Sequence, residues 1–106
     1  MEKDMELKPG SRWKSAVCTS EVVVVRPPKT PVSLECGGQP MVALAATAPE
    51  GLELSPDFSG GTAVGKRYFD EAAGLEVLGS KAGKGSLAID GKPLNLKEAK
   101  ALPASD

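Results

Sequence analysis

The chain has no histidine, so its two cysteines, Cys18 and Cys36, are its most chemically capable side chains. Two thiols can serve as metal ligands, as a disulfide, as reactive nucleophiles or as small buried hydrophobes. A structural zinc ion takes four ligands, typically with cysteines paired two to four residues apart. Here seventeen residues lie between two single cysteines. A site for zinc or iron would need both thiolates completed by carboxylates such as Glu35, or four thiolates shared across a symmetric dimer. The plainest expectation is a core thiol, because "VSLEC" places Cys36 on the strand face that carries Val32 and Leu34.

Residues 79–86, "GSKAGKGS", have the composition of a phosphate-cradling loop but not its register. Such a loop needs Gly, four residues, then Gly-Lys-Ser/Thr, between a strand and a helix whose N-terminus faces the phosphates. Five residues after Gly79 stands Lys84, and five after Gly74 stands Gly79-Ser80. Gly60 leads at the right distance to Gly65-Lys66, but Arg67 replaces the hydroxyl that would hold magnesium. These glycines therefore read as connections between β-elements.

Three further stretches carry weaker chemistry. In "CGGQPM", Cys36, Gly37, Gly38 and Met41 could bring a backbone turn close to a ligand or partner, with a tight turn between strands as the simpler account. Asp70 and Glu71 could supply acid–base chemistry, but they fall where a hairpin turns. "GKRYF" sets two bases beside Tyr68 and Phe69, yet alternation puts Lys66 with Tyr68 and Arg67 with Phe69, leaving one exposed aromatic beside one base for single-stranded nucleic acid. Catalysis by this chain alone is not expected.

The elements that must position these residues read as β. "RWKSAVC" alternates like a strand, and the four consecutive valines of "SEVVVVR" predict a central strand covered on both faces. "PPKTP" breaks the chain, "VSLEC" resumes it, and "MVALA" is a further short strand. Residues 45–61 predict a long loop, with "GLEL" as its only strand-like piece. "TAVGKRYF" and "LEVLGS" flank "DEAAG" as one hairpin, and "SLAID" and "KPLNL" meet at Asp90-Gly91 as another. Asn95 stands three residues before Glu98, a capping-box-like spacing that predicts one short C-terminal helix stopped before Pro103.

At 106 residues the chain reads as a single domain, with residues 1–10 a flexible lead-in and 97–106 a tail. Thirteen basic and fourteen acidic residues, spread evenly along it, give a net charge of −1 and no basic excess for duplex nucleic acid. "MEKDMELKPG" lacks the apolar run of a signal peptide, and no segment approaches the roughly 20 apolar residues of a membrane span, so a cytoplasmic protein is expected. With four aromatics the core is thin, which favours self-association or a protein partner.

The stretch "LKPGSRWKSAVCTSEVVVVRPP…LECGGQPM", about a third of the chain, resembles a family of uncharacterised small bacterial proteins. The resemblance implies a bacterial, cytoplasmic origin and no mechanism. The expectation is an all-β, or β-dominated, small barrel or sandwich of about six to eight short antiparallel strands. Its expected function is a non-catalytic binding or accessory module acting through protein–protein association, with no cofactor. The alternative is a small metal- or redox-linked module using Cys18 and Cys36.

Overall fold

Turn chemistry sets the strand registers. Asp90 and Gly91 have φ of 49° and 81°, the left-handed pair that a two-residue hairpin turn demands, and they lock Ile89 opposite Lys92. Gly37 and Gly38, at 67° and 87°, do the same between Cys36 and Gln39. A third reversal uses side-chain chemistry. Asp70 Oδ2 accepts the Ala73 N–H at 2.9 Å, Gly74 N–H bonds the Asp70 carbonyl, and Asp70 faces Leu75 across the pair.

The computed structural model describes residues 7–97. Among them are ten strands: β1 (Arg12–Lys14), β2 (Glu21–Arg26), β3 (Leu34–Cys36), β4 (Gln39–Pro40), β5 (Val42–Ala43), β6 (Arg67–Asp70), β7 (Leu75–Lys81), β8 (Leu87–Ile89), β9 (Lys92–Pro93) and β10 (Asn95–Lys97). One 3-10 turn, Pro56–Phe58, interrupts the long connection between β5 and β6, and "GLEL" within it forms no strand. The fold is all-β, in two antiparallel sheets of order β10-β6-β7-β2-β1-β5 and β4-β3-β8-β9. Both sheets stay open, and no barrel closes. Pro40 and Pro93 sit in the two edge strands of the smaller sheet, where a missing N–H costs no ladder bond.

The inner faces of both sheets meet in one core. Val22 and Val24 of β2 and Leu75 and Val77 of β7 join Leu34 and Cys36 of β3 and Leu87 and Ile89 of β8. Burial of each large side chain contributes about 1.5–3 kcal/mol. Leu7 belongs to this core although it lies in the predicted lead-in, because its side chain is 6% exposed and packs under the sheets.

Four expectations need correction. β2 is central, between β7 and β1, but it is covered on one face only: Val22 and Val24 are buried, while Val25 is 40% exposed. Among the described residues no second layer covers Val25, and a register shift between Val24 and Arg26 turns it outward at the bulge. The strand predicted over residues 12–18 stops at Lys14, because a side chain captures the next backbone amides, as described below. Asn95 caps no helix. It pairs with Phe69 in a strand, followed by Leu96 with Tyr68 and Lys97 with Arg67, so long-range pairing overrides the local capping signal. The rest of the predicted helix and tail, from residue 98, lies outside the described residues. Finally, β8 and β9 form the expected hairpin, but the chain then crosses at Leu94 from the smaller sheet to the edge of the larger one.

Candidate dithiol site

Ser15 builds the loop that carries Cys18. Its Oγ accepts the N–H groups of both Val17 and Cys18 at 3.1 Å, and its own N–H bonds the Ser20 carbonyl at 2.9 Å. A hydroxyl that satisfies two successive amides pulls the chain out of the β-ladder and into a tight connection from β1 to β2. Cys18 thus leaves the strand and turns inward at the end of the core.

Cys36 arrives from the other sheet. It ends β3 with no exposed surface, immediately before the Gly37-Gly38 turn. The two sulfurs lie 3.8 Å apart, in van der Waals contact, as free thiols. A disulfide bond is about 2.05 Å long, so an approach of roughly 1.8 Å would join them. Cys18 is half-buried and Cys36 wholly buried, so the pair has one accessible member.

A third segment closes over the sulfurs. Gly85 N–H donates to Cys18 Sγ at 3.3 Å, and Ser20 Oγ, fully buried, lies 3.2 Å from the same sulfur. Gly85 must be glycine: a Cβ there would stand 2.9 Å from Cys36 Sγ and 2.8 Å from Gly37 N. Gly83 packs equally closely on Ser20, and the Thr62–Gly83 bridge and the Thr19 Oγ1 bond to the Ala82 carbonyl hold the segment down. The "GSKAGKGS" stretch is therefore the end of β7 and a lid on the dithiol. No helix follows it or Gly65-Lys66, as the β reading of both requires.

These contacts split the two thiols. Burial opposes ionisation of Cys18, but the hydroxyls of Ser15 and Ser20 and the N–H groups of Ser20 and Gly85 outweigh it, bringing the thiol down from 9.0 to about 7. Burial pushes Cys36 up to about 11, helped by the neighbouring Cys18 charge and only partly offset by the Ser20 and Ser15 hydroxyls. Near neutrality one sulfur is substantially thiolate and its neighbour is a thiol.

Glu35, the carboxylate expected to complete a metal site, stands away from the sulfurs. Glu35 lies on the opposite face of β3 from Cys36, and its Oε1 accepts the Gly91 N–H at 2.9 Å, so it cannot complete a site with the sulfurs. Among the described residues no cluster of three or more Cys, Asp or Glu side chains could hold a metal ion. Two thiolates alone leave a tetrahedral zinc or iron centre half complete.

The other candidates fall elsewhere. Gly37 and Gly38 are the hairpin turn that follows Cys36, and Met41 is a core residue, 3% exposed. Asp70 is buried in its own turn, with Lys92 Nζ 3.7 Å away. Tyr68 packs against the core and accepts the Ala63 N–H, while Arg67 binds Glu76 at 3.3 Å. Sequence reasoning missed Ser15, Ser20 and Gly85. The signal available was the serine on either side of Cys18, since short hydroxyl side chains bond nearby backbone in turns.

Comparison with protein-family models, curated proteins and solved structures found no match. Among the described residues no helix is long and apolar enough to cross a membrane.

Proposed function

We propose that this chain is a small redox-linked accessory module whose Cys18–Cys36 pair alternates between dithiol and disulfide. The observation that carries the reading is the 3.8 Å contact between two cysteines eighteen positions apart, from different sheets, with only one sulfur reachable from outside. Cys18 Sγ donates to Ser20 Oγ at 3.2 Å and accepts from Gly85 N–H at 3.3 Å, polar contacts that a thiol serving only as a hydrophobe does not need. A bacterial cytoplasmic setting belongs to this reading, because a reducing thiol pool holds the pair open until an oxidant appears.

Association with a protein partner, the leading expectation from composition, has less support. The exposed large apolar side chains Val25, Val64 and Leu96 stand on three different elements, and single exposed apolar residues are ordinary on soluble surfaces.

The test is equilibration of the reduced protein in glutathione buffers of graded potential, followed by acid quench, alkylation and mass spectrometry. The expected product is an internal disulfide lacking two hydrogens, with Cys18→Ser and Cys36→Ser each unable to form it. In the chain-entropy account a bridge closing a loop of this length stabilises the fold by about 3 kcal/mol, which urea unfolding of the two forms would read. Two free thiols persisting under oxidising buffers would end the proposal.

A further inference from the structure

Resting on that dithiol reading, we propose that the oxidant this site takes is a small disulfide bearing carboxylates, of the kind glutathione disulfide represents, held against the Lys84 ammonium. Since Cys36 has no exposed surface and Cys18 is partly exposed, any incoming disulfide must meet Cys18 first. Lys84 directly precedes the glycine whose N–H touches Cys18 Sγ at 3.3 Å. Two backbone bonds separate that nitrogen from Lys84 Cα, so Cα lies within about 6 Å of the sulfur. The side chain is exposed and, among the described residues, makes no ion pair.

Two further lysines stand near the β1–β2 connection. Lys81, also exposed, is 3.7 Å from Glu21, the residue after Ser20, and Lys14 faces Glu21 across the β1–β2 ladder. Glu21, the carboxylate next to Ser20, is thus already paired with Lys81. A disulfide with carboxylates near its sulfurs gains attraction here, whereas one with ammonium groups is repelled.

The chemistry balances without another reactant. The Cys18 thiolate attacks one sulfur of R–S–S–R, forming the Cys18–S–S–R bond and expelling RS⁻. Cys36 then loses its proton to solvent, and its sulfur attacks Cys18 Sγ from 3.8 Å away, breaking the bond to R and expelling the second RS⁻. The protein dithiol is oxidised by two electrons and the small disulfide is reduced to two thiols, which take up the two protons.

The experiment compares rates of the first step for the reduced full-length chain with oxidised glutathione, the neutral hydroxyethyl disulfide and the cationic cystamine, at low salt. Each rate is normalised to the reaction of that disulfide with free mercaptoethanol. The expected order is anionic over neutral over cationic, with about three- to tenfold between neighbours, the Coulomb effect of a charge several ångströms away in a largely aqueous setting. Lys84→Gln should flatten the series, Lys84→Glu should invert it, and high salt should compress it. A series independent of charge, or one that Lys84→Glu leaves unchanged, would overturn the assignment. Failure of the dithiol reading itself looks different: with all three reagents the mixed disulfide at Cys18 would persist and no Cys18–Cys36 bond would follow.

Discussion

Replacing Ser20 by alanine removes the buried hydroxyl 3.2 Å from Cys18 Sγ and leaves the rest of the site in place. Four hydrogen-bonding groups work against burial to bring Cys18 from 9.0 to about 7. A hydrogen bond to a charged group contributes roughly 1.5–3 kcal/mol, and one pKa unit is about 1.4 kcal/mol, so losing this hydroxyl should move the midpoint up by at least about one unit. The assay is the pH dependence of iodoacetamide alkylation at Cys18, followed by mass spectrometry in a Cys36→Ser background carried by both proteins. At pH 7 the thiolate fraction should fall from about half to about a tenth. The remaining thiolate is more nucleophilic, by about threefold for one unit at a Brønsted slope near 0.5, so the net slowing at pH 7 is only about twofold. The midpoint of the profile, together with a plateau about threefold higher at alkaline pH, is therefore the informative reading. Identical midpoints in the two proteins, or a parent midpoint near 9, would refute the claim that Ser20 supports the thiolate.

Three other outcomes follow from the same packing. Gly85→Ala forces a methyl between Gly37 N and Cys36 Sγ, neither free to move away, and should cost about 1–3 kcal/mol in urea unfolding of the reduced protein. Val24→Ala should cost about 2 kcal/mol, whereas Val25→Lys, one residue on, should stay within about 0.5 kcal/mol of the parent if the outer face of β2 faces solvent. The reduced protein should also show opposed pH limbs. Cys18, lowered in the fold, adds stability above pH 9 that is lost as pH falls through 7; Cys36, raised in the fold, adds stability below pH 9 that is lost as pH rises through 11. Unfolding free energies taken below pH 7, near 9 and above 11 should accordingly lose the first limb in Cys18→Ser and the second in Cys36→Ser, with Cys18's share held to about 1 kcal/mol by its exposure.

The parts of this fold readable from the chain are those where local chemistry decides the outcome. Asp90-Gly91 tolerates the left-handed pair a tight hairpin needs, and "VSLEC" alternates because one face of β3 is core, so both were evident without coordinates. The failures share a cause. Asn95 carries a genuine capping signal, but three ladder partners on β6 and the ion pair between Lys97 and Glu76, 3.6 Å apart, outweigh it. The valine run looked covered on both faces because composition alone cannot show that no layer lies outside β2. The meeting of Cys18 with Cys36 was hidden for a related reason. It depends on two sheets packing face to face and on Ser15 ending β1 early, so assigning Cys18 to a strand obscured the loop that delivers it.

The placement of β2 between β1 and β7 has a consequence for how the molecule is made. On the ribosome, Glu21–Arg26 is synthesised some fifty residues before the strand that flanks its far side, Leu75–Lys81. Until that later segment emerges, the nascent chain presents a valine-rich ribbon with one row of backbone amides and carbonyls unpaired, the template on which intermolecular β-aggregation starts. The edge strand Asn95–Lys97 is made later still, so the larger sheet gains its β10 edge only after β7 has emerged. Productive folding is in this sense a race between elongation and collision with other nascent chains, and slow translation through residues 27–74 would tilt it toward loss.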